Sequence, residues 1–165
     1  GAPIVGASST CIMTMRDEYP HLLGIDNSRV RDSLDLATKF IFKKISEGKK
    51  LNFRKDFHAR IAYHTPCHLE RLGWEYFSIE LLKMIPGVEL TVLESNCCGI
   101  AGTYGFKKEN YEVSQAIGRP LFEQIAAVGP DFVACDCETC KWQIEMSTGV
   151  SVKHPVSVLA EAICD

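Results

Sequence analysis

Short apolar runs alternate along the chain with longer segments in which apolar residues recur at helical spacing. The apolar runs predict strands over residues 3–8, 60–64, 88–93, 131–135 and 150–153. Helical spacing predicts helices over residues 69–84, 108–117, 120–127, 138–147 and 155–163, with Pro120 placed to begin one of them. This alternation predicts an α/β fold, Rossmann-like, with a mostly parallel sheet of four or five strands and helices on both faces.

A further helix is predicted between the first two strands, after a turn-rich stretch. The turns are expected around Pro20, Gly24 and Asn27. The helical pattern consists of Val30, Leu34, Ala37, Ile41 and Ile45, and Gly48 is placed to end the helix.

The composition is that of an ordinary globular domain. Of 165 residues, 46% are hydrophobic and 24% are charged, and the net charge of −3 gives no reason to expect a nucleic-acid partner. No stretch approaches the roughly 20 apolar residues needed to cross a bilayer. Residues 1–5 lack the features of a signal peptide, so we expect a soluble piece of a longer protein from a reducing compartment.

Eight cysteines are many for a chain of this length. In a reducing compartment, clustered cysteines are more often metal ligands or catalytic thiols than disulfides. Most of them follow a predicted strand: Cys11, Cys67, Cys97 with Cys98, and Cys137 with Cys140 each follow one, as does His154. Parallel strands gather their following residues at one sheet edge, where α/β folds bind ligands. Cys135 and Cys164 are predicted instead to be core or surface thiols.

Two of these motifs are suited to metal binding. Cys137 and Cys140 form a C-x-x-C at a helix start, where the helix dipole favours thiolates. Cys97 and Cys98 are adjacent in a glycine-rich loop, and Gly99 permits a tight turn beside a bulky ligand.

Three classes of function remain open on these residues alone. Five thiolates exceed the four that a structural zinc ion or an ordinary cubane cluster needs, which favours an unusual iron–sulfur cluster or one spectator cysteine. A structural zinc domain would use four of the five. A thiol–disulfide enzyme would need only Cys137 and Cys140.

Three long runs, at residues 63–68, 97–111 and 136–146, resemble the cysteine-rich CCG domains of heterodisulfide reductases and their relatives. The resemblance implies that Cys67, Cys97, Cys98, Cys137 and Cys140 hold a noncubane [4Fe–4S] cluster. It implies that residues 27–165 form one compact CCG domain. Residues 1–26 would be either the tail of a preceding CCG domain or the first strand of this one.

The runs are most similar to the branch of this family that serves anaerobic oxidation of glycerol 3-phosphate. The resemblance implies a non-catalytic electron-transfer subunit, peripheral at the cytoplasmic face of the inner membrane. Its partners would be a flavin-containing catalytic subunit, a further dehydrogenase subunit and the menaquinone pool. Related subunits of glycolate, lactate and heterodisulfide complexes are the alternative.

Several residues beside the cysteines have open roles. His64, His68, His154 and Gly99 are expected either to surround the cluster and hydrogen-bond its sulfurs, or to be structural residues at strand ends. Cys11 stands where a preceding domain would have its own C-x-x-C. Its expected role is therefore either that of a further ligand or that of an orphaned thiol. An isolated piece purified in air is expected to contain zinc or no metal.

Overall fold

The structure is a computed structural model, and it describes residues 2–164. Strands and helices alternate throughout this part of the chain. The strands are Ile4–Gly6 (β1), Leu34–Leu36 (β2), Ala59–His64 (β3), Val88–Val92 (β4), Phe132–Cys135 (β5) and Val152–Lys153 (β6). The α-helices are Ser9–Met13 (α1), Tyr19–Leu23 (α2), Ser28–Arg31 (α3), Ala37–Ser46 (α4), Cys67–Leu72 (α5), Glu75–Lys83 (α6), Tyr111–Val128 (α7), Glu138–Thr148 (α8) and Pro155–Ala162 (α9). A π-helical turn, Thr14–Glu18, joins α1 to α2, and two 3₁₀ turns, Tyr104–Phe106 and Lys108–Asn110, precede α7.

The predicted α/β architecture is confirmed. Four strands pair in parallel in the order β4-β3-β5-β6. Because all four run the same way, their carboxyl ends lie at one edge, and the loops that follow them leave the sheet together.

Helices cover both faces of this sheet because successive strand residues point to opposite sides. On one face, Ile61 and Tyr63 of β3 pack in the same core cluster as Leu82 of α6 and Leu159 of α9. The other core cluster joins Ala62, Val133 and Cys135 of the sheet to Leu121 of α7 and Ile144 of α8. Each fully buried aliphatic side chain stabilises the fold by about 1.5–3 kcal/mol.

The first strand does not join this sheet. β1 pairs in parallel with β2 in a separate two-stranded sheet, in the register Ile4↔Leu34. The predicted continuous helix from Val30 to Ile45 is therefore wrong, since β2 interrupts it and α4 begins only at Ala37. The turn-rich stretch is also largely helical between Ser9 and Leu23.

Two other predicted helices are corrected. The helix expected over residues 69–84 is broken at Gly73, which adopts a left-handed φ of 66° and separates α5 from α6. The two helices expected on either side of Pro120 are a single helix, α7, with Pro120 inside it. Proline lacks an N–H, so its position costs one helical hydrogen bond without ending the helix.

Within residues 2–164, no helix combines the length and the apolar character that a membrane span requires.

Candidate metal centre

Six cysteines line one cavity of about 700 Å³ at the carboxyl edge of the sheet. They are Cys11, Cys67, Cys97, Cys98, Cys137 and Cys140. The structure therefore brings together the five predicted ligands and adds Cys11 beside them. We call this space the cysteine cavity. Each of the eight cysteines, all within the described residues, is a free thiol.

Strand ends explain this convergence. Cys67 begins α5 shortly after β3, Cys137 immediately precedes α8 after β5, and Cys97 and Cys98 follow β4. Cys11 arrives from α1, which is held against the sheet because both the N–H and the hydroxyl of Ser9 donate to the Asp136 carbonyl, at 3.2 and 3.1 Å. One wall of the cysteine cavity thus comes from outside the main sheet.

Within the C-x-x-C motif, hydrogen bonds lower the pKa of one of the two thiols. The hydrogen bond from Cys140, with further help from Thr139 and Thr10, lowers the pKa of Cys137 to about 4. The Oγ1 atoms of Thr139 and Thr10 lie 3.3 and 3.8 Å from Cys137 Sγ. The Cys137 side chain is therefore a thiolate at neutral pH, the form that binds metals.

Three other thiols of the cavity, those of Cys67, Cys97 and Cys98, have raised pKa values and keep their protons at neutral pH until a metal displaces them. The hydrogen bond to Cys140 raises the pKa of Cys98 to about 12, and the two sulfur atoms lie 3.2 Å apart. The pKa of Cys97 is raised chiefly by its hydrogen bond with Cys98. Burial raises the pKa of Cys67. Metal binding at these thiols would therefore release protons.

Gly99 fixes the loop that carries Cys97 and Cys98. Its φ is 88°, and a Cβ at this position would lie 2.0 Å from the Ser114 carbonyl oxygen of α7. The Gly99 N–H donates to Cys97 Sγ at 3.3 Å, and Ser114 Oγ donates to the Gly99 carbonyl at 2.9 Å. Gly99 thus lies against a helix rather than against the cavity, and it still places an N–H on a candidate ligand.

Asp136, between two cysteines, has a fully buried carboxylate. Tyr63 Oη donates to its Oδ2 at 2.7 Å, and Ser78 Oγ donates to its Oδ1 at 2.9 Å. Burial raises the pKa of Asp136, whereas the nearby His154 lowers it. These contacts anchor the segment that leads into the C-x-x-C motif.

The three histidines that were predicted to lie near the cluster occupy different environments. His68 lines the cysteine cavity, and its Nδ1 lies 2.8 Å from Thr10 Oγ1. His154 instead caps α9, where its Nδ1 accepts from the Val156 N–H and its Nε2 lies 2.8 Å from the Ala7 carbonyl. His64 is 1% exposed, and neither of its ring nitrogens has a hydrogen-bond partner among residues 2–164.

The sequence interpretation missed one grouping. Ligand atoms of His64, Cys135 and Cys140 all lie within 4.8 Å of one another, and all three residues are buried. Cys135 is a buried core thiol, as predicted, and it is also a member of this group. Cys164 is exposed.

The donors around the cysteine cavity suit a sulfur-ligated metal group. They offer soft thiol ligands, one already ionised, and they outnumber the four that a single tetrahedral ion uses. A cavity of this size has room for more than one metal ion, so the residues present fit an iron–sulfur cluster.

Comparison with known proteins adds independent information. A family model described as a cysteine-rich domain, CCG, matches residues 61–145. Over 99% of its length the chain is 56% identical to the C subunit of the anaerobic glycerol-3-phosphate dehydrogenase of Escherichia coli strain K12. It is 30% identical over 97% of its length to an uncharacterized iron-sulfur protein of Methanocaldococcus jannaschii, and 34% identical over 67% to lactate utilization protein A of an Exiguobacterium strain. The chain spans only 41%, 32% and 47% of these relatives, respectively.

Proposed function

This chain belongs to the CCG family of cysteine-rich domains, and from that premise we propose that it holds an iron–sulfur cluster for electron transfer within a larger oxidoreductase complex. The observation that carries the proposal is the convergence of five predicted ligands on one cavity. A relative that shares 30% identity over nearly the whole chain is named as an iron–sulfur protein.

The ligands that we propose are Cys67, Cys97, Cys98, Cys137 and Cys140, and the cluster that we propose is a noncubane [4Fe–4S]. A cubane needs four cysteines, whereas the cysteine cavity offers these five. Cys11 lines the same cavity and is exposed. We assign it no ligand role, because it enters from α1 rather than from a strand of the main sheet.

The residues of the chain prepare this site in three ways. Cys137 presents a thiolate, and the free N–H groups at the start of α8 stabilise negative charge on the sulfurs beside them. Gly99 donates a hydrogen bond to Cys97 Sγ, and such hydrogen bonds tune the reduction potential of a cluster. When bound, the cluster would supply reversible one-electron transfer.

We further propose that the complex oxidises glycerol 3-phosphate anaerobically. The 56% identity to the C subunit of such a dehydrogenase supports this assignment. The expected partners are a flavin-containing catalytic subunit, a further dehydrogenase subunit and menaquinone, at the cytoplasmic face of the inner membrane. In this view residues 27–165 form one CCG domain, and residues 1–26 are its first strand or the tail of a preceding domain.

A second candidate, electron transfer from lactate, is favoured by the similarity to lactate utilization protein A. The cysteine cavity alone does not separate the two substrates, because the substrate would bind to a partner protein of the complex. The higher identity and coverage favour glycerol 3-phosphate.

The first experiment is to measure iron and acid-labile sulfide per chain, together with an EPR spectrum, on protein purified without oxygen. We expect about four irons and a spectrum unlike that of a cubane. Cys98→Ser should lose both, because Cys98 is buried beside Cys140 in the site. Cys164→Ser is the matched control, since Cys164 is exposed and lies beyond α9.

Two results would count against the proposal. Wild-type protein without iron after anaerobic reconstitution would leave only a zinc or thiol function. Equal iron content in Cys98→Ser and wild type would remove Cys98 from the ligand set. Purification in air should lower the iron content, because Cys67 and Cys97 are exposed.

A further inference from the structure

A buried histidine lies behind the cysteine cavity, next to one of the proposed ligands. His64 ends β3 and is paired in the parallel register with Cys135, which ends β5. Residues paired in this way point to the same face of a sheet. Cys140, in the first turn of α8, packs onto that face, and one ligand atom from each of the three residues lies within 4.8 Å of the other two. Cys140 lines the cavity and His64 does not, so His64 approaches Cys140 from the interior.

His64 has a hydrogen-bonding capacity that the described chain does not use. It is almost completely buried, and neither ring nitrogen has a partner among residues 2–164. Buried polar groups in folded proteins are nearly always paired, so an unpaired one needs an explanation. The two other histidines near the site do have partners, since His68 lies beside Thr10 and His154 caps α9.

Two sulfur atoms lie near the His64 ring, and they differ as acceptors. Burial lowers the pKa of His64 to about 4, so the ring is neutral at pH 7 and carries one N–H. Cys135 Sγ donates to the Cys137 carbonyl at 3.7 Å, and Cys135 is not among the proposed ligands. Cys140 is a thiolate whenever it binds a metal, and charge-assisted hydrogen bonds are the stronger ones. Cys140 Sγ is therefore the better partner.

We propose that His64 is a positioning residue for the cluster of the proposed function, on which this inference rests, and that its ring N–H donates a hydrogen bond to Cys140 Sγ when Cys140 is a ligand. The separation of up to 4.8 Å is longer than a hydrogen bond, and a small rotation of the two side chains closes it. Hydrogen bonds to ligand sulfurs favour the more negative, reduced state. His64 therefore raises the reduction potential, from a side of Cys140 that faces the protein interior.

The test is a redox titration, followed by EPR, of the whole chain purified without oxygen, as wild type and as His64→Leu. The variant should keep the iron content of wild type, because His64 is not a ligand. At a fixed potential, its ratio of reduced to oxidised cluster should fall at least about threefold, which is about 28 mV at 59 mV per tenfold for one electron. His58→Leu is the matched control, because His58 is exposed and precedes β3 at the opposite end of the strand; it should keep the wild-type potential.

Two conservative variants separate the hydrogen bond from the shape of the side chain. His64→Asn places an amide N–H near the position of Nδ1, and His64→Gln places one near that of Nε2. At least one of them should recover more than half of the lost potential. In protein with ¹⁵N-labelled histidine, pulsed EPR should detect a weak nitrogen coupling in wild type and in His58→Leu, and none in His64→Leu.

Folding of the variants is checked by the midpoint of urea unfolding without metal. His64→Leu should keep or raise this midpoint, because it replaces an unpaired buried polar group by an apolar one. If His64→Leu does not fold, His64→Asn and His64→Gln give the same spectroscopic comparison, because they too lack the ring nitrogen.

Three results would overturn the inference while the proposed function stands. They are an unchanged potential in His64→Leu, a lowered potential that neither His64→Asn nor His64→Gln recovers, and loss of iron from His64→Leu while wild type retains it. Wild type that takes up no iron would overturn both proposals, and iron analysis identifies that case before any potential is measured.

Discussion

Gly99 and Gly102 belong to one loop and meet different constraints. Both have a left-handed φ, of 88° and 66°. A Cβ at Gly102 would meet open space, whereas a Cβ at Gly99 would overlap the Ser114 carbonyl oxygen and approach the Gly118 nitrogen. The third position of the Cys97-Cys98-Gly99 run therefore needs glycine for two physical reasons, conformation and close approach to α7.

We expect Gly99→Ala to lower the free energy of unfolding by more than about 2 kcal/mol. A non-glycine residue in the left-handed region costs about 1–2 kcal/mol, and the overlap with Ser114 adds to this. Gly102→Ala, which carries only the conformational cost, should lose about 1 kcal/mol. Urea unfolding measures both, and equal losses would show that the close approach contributes nothing.

The cysteines that line the cysteine cavity were easier to predict than the residues that surround them. The five cysteines follow strands, and this placement is visible in the sequence. The buried group of His64, Cys135 and Cys140 is not visible in the sequence, because it depends on the register His64↔Cys135 between strands that are far apart in the chain. Gly99 was predicted to approach a ligand, and the structure shows that it approaches a helix.

At the scale of elements, α7 is unusual because it continues through Pro120. The helix buries Ser114, Gly118, Leu121 and Ile125, at intervals that form one face. This buried stripe holds the helix together across the missing hydrogen bond, although Pro120 itself is exposed. Tertiary packing thus outweighs the local preference of proline to begin a helix.

Pro120→Ala should raise the free energy of unfolding by about 1–2 kcal/mol. Alanine is about 3 kcal/mol more favourable than proline inside a helix, and the freer unfolded chain offsets up to about 1 kcal/mol of this. Thermal or urea unfolding checks the change. Arg119→Ala, also exposed on α7, should stay within about 0.5 kcal/mol. A destabilised Pro120→Ala would contradict the argument.

Strands were predicted more reliably than the helix boundaries. The four strands of the main sheet lie where apolar runs predict them. The two central strands, β3 and β5, are buried along nearly all their length, as is typical of parallel strands covered on both faces. β2 was missed because Leu34 fits a helical period with Ala37 and Ile41. Residues 34–36 form a strand because they pair with β1, and such non-local pairing leaves no signal in the local sequence.

At the scale of the whole molecule, the packing is uneven. The main sheet is lined by side chains that are almost fully buried, such as Ile61 and Val133. The segment from the π-helical turn through α2 is far more open, with Leu22 and Leu23 at 74% and 64% exposed. Regions with few buried contacts open at lower free energy than the core.

Hydrogen exchange should therefore separate two regions. We expect amides of residues 14–27 to exchange well before those of β3 and β5, because local opening there breaks few apolar contacts. Mass spectrometry of peptic fragments, with a time course from seconds to hours, resolves the two regions. Equal protection across the chain would show that it opens as one cooperative unit.

The parallel pairing of β1 with β2 also affects how the chain is connected. The backbone leaves this small sheet after Gly6 and returns to it at Leu34, so residues 7–33 form a long connection between two paired strands. Insertions or deletions within this connection need not shift the two strands, and lengthening a loop costs little conformational entropy. Changes in the length of this chain are therefore easiest to accommodate in the exposed part of this connection, beyond the α1 residues that line the cysteine cavity.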